Sequence, residues 1–245
     1  MTRVDALTVV IPARNEVLAL PACLEALHAS FQLAGLHADV ILRAIVVLDS
    51  CTDGSDTVVR AATQAWHQAG RAALESITVM AGGVGLARAI GNARALALHA
   101  GAGHEPDTLW LASTEADTIV PGHWISTHLC AARAGEDALV GTVEPDGTLP
   151  LHDRALWLER HHLVEDHPHV HGANLGVQAS AYLAVGGYRA LTLHEDADLV
   201  GRLRAAPGVR VRATDAHRVV TSSRLEARAS GGFATYLKNL TRGVS

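Results

Sequence analysis

The chain has 245 residues, 49% hydrophobic, 18% charged and 4% aromatic, with 20 Lys+Arg against 25 Asp+Glu and a formal net charge of −5. So apolar a chain is neither disordered nor of low complexity. Its mildly acidic balance argues against a general binder of nucleic acid or anionic membrane, since both need basic patches. The length suits one large α/β domain or two small ones.

Cys23, Cys51 and Cys130 are odd in number and far apart. They read as buried small apolar residues rather than a disulfide or zinc framework. No apolar run reaches the ~18 residues that a membrane span needs. Met1-Thr2-Arg3-Val4-Asp5 leads into a strand-like segment, not a secretory leader. A cytoplasmic protein without a transmembrane segment is the expectation, with peripheral membrane contact left open.

The first half alternates strands and helices. Ala6–Ile11 reads as a strand stopped by Pro12, and Glu16–Ala34 as a helix spaced through Leu20, Leu24 and Leu27. Ala44–Leu48 is a buried-strand run, and Asp56–Ala69 a helix ending at Gly70. Ser76–Met80 is a strand and Gly85–Ala100 a helix. Leu109–Ala112 is a strand, Pro121–Ala134 a helix with Pro in its first turn, and Ala138–Val143 a further strand. This alternation predicts an α/β fold with a mostly parallel sheet covered on both faces. The second half is less regular. Helices are expected over Leu151–Asp166, Ala179–Val185, Glu195–Ala206 and Gly232–Leu240, with a strand over Val209–Ala213. No repeat or long linker interrupts it. The chain therefore reads as a single domain, with a nucleotide half over about 1–120 and an acceptor half over about 121–245.

Ligands of such sheets sit beyond the carboxyl ends of the strands. The polar turns there are Pro12-Ala13-Arg14-Asn15-Glu16, Asp49 to Ser55, Gly82 to Arg88, and Ser113-Thr114-Glu115-Ala116-Asp117. The first two can bond a base and ribose, although Asn15 or Asp53 is also an ordinary helix cap. The third imitates a dinucleotide loop, but Arg88 stands where a third glycine should be, so a nicotinamide cofactor is disfavoured. A cation on the first turn of a helix opposes the dipole, and Arg88 makes better sense facing an anion such as a pyrophosphate. Glu115 and Asp117 point the same way from an extended segment. Two such carboxylates are relieved by a hard divalent cation, Mg²⁺ or Mn²⁺, with diphosphate oxygens completing its shell.

These turns, in this order, resemble the nucleotide-sugar glycosyltransferases of the GT-A fold, in particular the family-2 group. Val9 to Glu16 is similar to the opening strand and its Pro-x-x-Asn-Glu turn, and Val46 to Ser55 to the Asp-Asp-Gly-Ser turn. Gly85–Asn92 resembles the segment whose basic residue nears the diphosphate. Thr114 to Asp117 stands in the place of the metal-binding Asp-x-Asp. His171-Gly172-Ala173-Asn174 and Gly186-Gly187-Tyr188 resemble the acceptor-side elements, and Glu195-Asp196-Ala197-Asp198-Leu199 the motif that carries the base. Two departures stand out. Leu48 replaces the first Asp of the nucleoside turn, and Glu115 replaces the first Asp of the metal motif.

The resemblance implies sugar transfer from a UDP- or GDP-linked donor to a hydroxyl acceptor. Pro12, Asn15, Glu16, Asp49, Arg88 and Glu115 would contact the donor. Asp117 would hold Mn²⁺ or Mg²⁺, with His217 as a further ligand. His171, Gly172, Ala173, Asn174 and Glu195 would face the acceptor. Asp196 would be the general base. One base without a carboxylate nucleophile implies inversion. His161, His162, His167, His169 and His171 form a histidine-rich stretch that could bind a metal, although 15 histidines are spread over the chain. Thr221 to Arg224 with Arg228, ahead of Gly231-Gly232-Phe233, would suit an anion-gripping lid. The rival readings are a GT-A domain that binds nucleotide sugars without catalysis, and a sugar nucleotidyltransferase. The latter usually carries a Gly-rich loop with Lys after the first strand, which Pro12 to Glu16 lacks.

Overall fold

The computed structural model describes residues 2–35, 39–70, 72–161, 163–191 and 193–224. The expected helix at Gly232–Leu240, Arg228, the Gly231-Gly232-Phe233 segment and His162 lie outside them. Strands β1 (Ala6–Ala13), β2 (Ile41–Asp49), β3 (Ala73–Val79) and β4 (Leu109–Ser113) are joined by helices α1 (Leu20–Gly35), α2 (Ser55–Ala69) and α3 (Val84–Gly101). Then follow β5 (Thr118–Ile119), α4 (Trp124–Ala134), β6 (Ala138–Pro145) and α5 (Leu151–Arg160). The described chain closes with β7 (Leu175–Gln178), α6 (Ala179–Ala184), α7 (Glu195–Ala205) and β8 (Val211–Thr221).

One eight-stranded sheet runs β3-β2-β1-β4-β7-β6-β8-β5. β1 pairs in parallel with β2 and β4, and β2 with β3. β7 enters antiparallel between β4 and β6, and β8 lies parallel to β6. Alternate side chains feed two cores. Leu7, Val9, Ile11, Ala44, Val46 and Leu48 pack with Leu24, Leu27 and Phe31 of α1, Trp66 of α2 and Trp124 of α4. Val10, Ile45, Val47 and Leu111 pack with Ala87 and Ala95 of α3 and Leu199 and Leu203 of α7. A Cβ at Gly91 would overlap Val10, so this glycine sets the close seating of α3 on β1.

Several boundaries differ from the sequence reading. Pro12 stays within β1, in register with Val47. α1 begins at Leu20, after a turn in which the Glu16 carbonyl accepts the Ala19 and Leu20 N–H groups at 3.0 and 2.9 Å. Pro121 precedes α4 rather than opening it, its carbonyl accepting the Trp124 N–H at 2.9 Å. α5 stops at Arg160, short of the histidine-rich run. β8 extends to Thr221 through a register shift opposite Gly141–Val143. β5 and β7, of two and four residues, escape periodicity analysis altogether.

Candidate functional site

The turns after β1 and β2 are stitched together. Asn15 has φ 55, a left-handed conformation that Asn adopts more readily than most side chains. Its Oδ1 accepts the Thr52 N–H at 2.8 Å. The Val17 N–H donates to Asp53 Oδ2 at 2.9 Å, while Asp53 Oδ1 accepts the Ser55 N–H at 3.0 Å and its hydroxyl at 2.6 Å. The Cys51 thiol donates to the Ala13 carbonyl at 3.3 Å. Asp49 is buried at the end of β2. Its Oδ1 accepts the N–H groups of Ala81 and Gly82 at 2.8 and 3.2 Å and the Ser50 hydroxyl at 3.0 Å. Leu48 beside it is a core residue, 2% exposed. That apolar surrounding is no place for a second carboxylate.

Arg88 leaves the first turn of α3 and is 1% exposed. Its Nε donates to Ser113 Oγ at 3.1 Å, Nη2 to Glu115 Oε1 at 2.9 Å, and Nη1 to Glu195 Oε1. Burial disfavours its charge, but the adjacent Glu115 and Glu195 carboxylates more than restore it, so the guanidinium stays protonated. Burial raises the Glu195 carboxyl above its usual range even beside Arg88. The structure thus places Arg88 and Glu195 in a buried pair, bonded to each other. It also brings the Glu115–Asp117 segment and the Glu195–Asp196 segment to one arginine.

Asp117 is largely buried. Burial and the neighbouring Glu115 charge push its carboxyl up to about 7, against the opposing pull of Arg224. Arg224 Nη2 lies 3.1 Å from Asp117 Oδ2 and 2.7 Å from Glu16 Oε1, and its Nη1 donates to Glu16 Oε2 at 2.9 Å. Glu16 is 6% exposed. A buried carboxylate that already draws a guanidinium to itself has the chemistry to take a hard cation. Among the described residues no group of three or more His, Cys, Asp or Glu side chains is arranged to hold a metal. The described residues alone therefore offer an incomplete shell.

Asp196 stands in the first turn of α7. Its Oδ2 accepts the Gly172 N–H at 2.6 Å and its Oδ1 the Ala197 N–H at 2.7 Å. Asp198 is held by Arg202 Nη2 at 2.7 Å and Arg189 Nη1 at 3.1 Å, which orients the same turn. His171 is part-buried nearby. Burial pushes it down to about 4, with Asp196 pulling the other way. Gly172 lies flat on Arg88, and an added Cβ would overlap the guanidinium.

Asn174 and His217 sit elsewhere than their expected roles require. Asn174 is fully buried. Its Oδ1 accepts the Trp124 indole N–H at 2.8 Å, and its Nδ2 donates to the carbonyls of Thr142 and His217 at 2.9 and 3.1 Å. It braces α4, β6 and β8 with every side-chain atom already used, and Ala173 packs in the core beside it. His217 is 0% exposed, with its ring centroid 5.1 Å from that of His128. No hydrogen bond or ion pair of the described residues joins it to Asp117. In the histidine-rich stretch, His161, His169 and His171 form a stacked ladder with Trp157. Trp157 and His161 lie 4.2 Å apart at 2°, His161 and His169 4.9 Å, and His169 and His171 6.3 Å. Sequence reasoning missed Ser113 as a partner of Arg88. It also missed the pairing of Arg224 with Glu16, which no local signal could show across 208 positions.

No family model matches the chain, and no curated protein matches it. Solved structures do match. S. aureus TarS superposes with TM-score 0.61 at 10% identity over 98% of this chain and 42% of its own. A mannosyltransferase from Pyrobaculum calidifontis, solved with GDP-Man and Mn²⁺, gives 0.61 at 17% identity over 96% of this chain and 61% of its own. Mannosyl-3-phosphoglycerate synthase from Rubrobacter xylanophilus gives 0.53 at 15% identity over 98% and 72%. The fold is GT-A. The chain spans less than two thirds of TarS and of the Pyrobaculum enzyme. Among the described residues no helix is long and apolar enough to cross a membrane.

Proposed function

We propose that this GT-A chain is a glycosyltransferase of the family-2 type, moving a sugar from a nucleoside diphosphate donor to a hydroxyl acceptor with inversion. The observation that supports the reading is the junction at Arg88, which bonds Glu115, two positions before Asp117, and Glu195, the neighbour of Asp196. Asn15, Glu16 and Asp49 line the adjoining strand ends and would meet base and ribose. Asp49 Oδ2 accepts no hydrogen bond among the described residues, since all three donors converge on Oδ1. Asp117, with Glu115 beside it, would hold Mn²⁺ or Mg²⁺, the remaining ligands coming from donor phosphates. Such an ion, when bound, supplies Lewis-acid stabilisation of the departing diphosphate. Asp196 would take the acceptor proton as the new bond forms. The Gly172 and Ala197 N–H groups fix its carboxylate for that task. Arg88 and Glu195 are positioning residues in this scheme.

The test is a thermal-shift screen of UDP- and GDP-sugars with and without Mn²⁺, because a ligand bound by the native state raises its stability. A metal-dependent rise with one nucleotide sugar, followed by transfer with inverted product, supports the reading. No shift with any donor overturns it.

A further inference from the structure

Arg224 stands apart from the other surface arginines. It follows β8 directly, and the end of that strand is pinned. The Ser222 N–H donates to the Asp117 carbonyl at 3.2 Å, and the Thr118 and Thr221 hydroxyls meet at 3.0 Å. The Ser223 hydroxyl donates to Asp146 Oδ1 at 2.6 Å, while the Asp146 N–H bonds the Thr221 carbonyl at 2.8 Å. From this anchored strand end the guanidinium reaches two buried carboxylates at once, Glu16 by both nitrogens and Asp117 by one. A planar fork matched to one carboxylate and shared with a second is a built contact.

We infer that Arg224 is a resident cation of the donor site: it neutralises Glu16 and Asp117 in the free protein, and a divalent ion must displace it from Asp117 to bind there. The inference rests on the metal role proposed for Asp117. Arg224 occupies Oδ2 of Asp117, and Oδ1 accepts the Thr221 hydroxyl at 3.5 Å. A divalent ion on either oxygen of so small a carboxylate would lie within a few ångströms of the guanidinium, and the low-dielectric surroundings of Asp117 magnify that repulsion. Metal entry therefore releases the Asp117 contact of Arg224 and leaves the fork to Glu16.

The experiment measures Mn²⁺ affinity by electron paramagnetic resonance with saturating UDP or GDP, whose phosphates complete the shell, and without acceptor. Wild type, Arg224→Met, Arg224→Lys and Asp117→Asn are compared. Arg224→Met is expected to bind Mn²⁺ about tenfold tighter, since it removes one charge-assisted contact from the competing side. Arg224→Lys, a point charge without the fork, should fall between. Equal affinity in wild type and Arg224→Met, or weaker binding in the variant, overturns the competition while leaving the metal assignment standing. Mn²⁺ binding that survives Asp117→Asn, or is missing from all four proteins, overturns the metal assignment and the competition with it. A second readout covers a misfolded Met variant. Titration of ¹⁵N-labelled wild type, with the same nucleotide present, by diamagnetic Mg²⁺ should shift one arginine Nε–H signal, assigned as the one lost in Arg224→Lys. An unmoved signal at saturating Mg²⁺ refutes displacement.

Discussion

Arg88 and Glu195, 107 positions apart, form a buried ion pair that locks the start of α3 to the start of α7. A buried pair of this kind contributes little net stability, but removing one partner is costly because a charge is left uncompensated. Arg88→Met strands both Glu195 and Glu115. It should lower unfolding free energy by about 3–5 kcal/mol, read from the denaturant midpoint. Adding Glu195→Gln to Arg88→Met should recover part of the loss. Full additivity would show that the two side chains do not depend on each other.

Asp196→Asn tests the base. The amide oxygen can still accept the Gly172 N–H, so the turn should survive. Transfer should fall by about 10²–10⁴-fold, with donor affinity unchanged. Unchanged turnover removes Asp196 from the proton-accepting role.

Acid should destabilise the protein through its buried histidines. Burial pushes His217 down to about 4, helped by His123 and His167, and burial also lowers His128. A depressed folded-state value means the unfolded chain binds the proton first. The stability is fully present above pH 6.5 and drains as pH falls from there toward 4. Each such histidine contributes about 1.4 kcal/mol per pH unit at most. Among the described residues neither ring nitrogen of the buried His217 has a hydrogen-bond partner. His217→Leu should therefore fold as well as wild type at pH 7 and show a shallower loss between pH 6.5 and 5. An unchanged slope in denaturant melts across that range would exclude His217 as a contributor.

Asn15 combines a left-handed backbone with an acceptor for Thr52. Asn15→Gly relieves the backbone and loses only the hydrogen bond, whereas Asn15→Ala loses the bond and adds strain. Losses of about 1 and 2 kcal/mol respectively are expected in thermal or denaturant unfolding. Equal losses would mean that conformation contributes nothing at this turn.

The first half of the fold was legible because both faces of its sheet are covered. Runs such as Ala44–Leu48 then appear as unbroken apolar segments with polar turns after them. The second half hid more. β7 is four residues directly after the His171–Asn174 stretch read as acceptor contacts, and Asn174 looks chemical in sequence yet is spent inside the core. Asp49, Asp117 and Asp196 stood out as carboxylates in turns. The partners that give them their surroundings come from distant stretches, as Arg224 does for Glu16, and periodicity carries no record of such pairings.

The seat of Arg88 against Gly172 has an evolutionary edge. With no room for a methyl group there, position 172 can change only if the arginine moves as well, so the two sites must drift together or not at all. Laboratory libraries that randomise the segment around His171 should return glycine at 172 in nearly every functional clone, unless position 88 is diversified in the same pool.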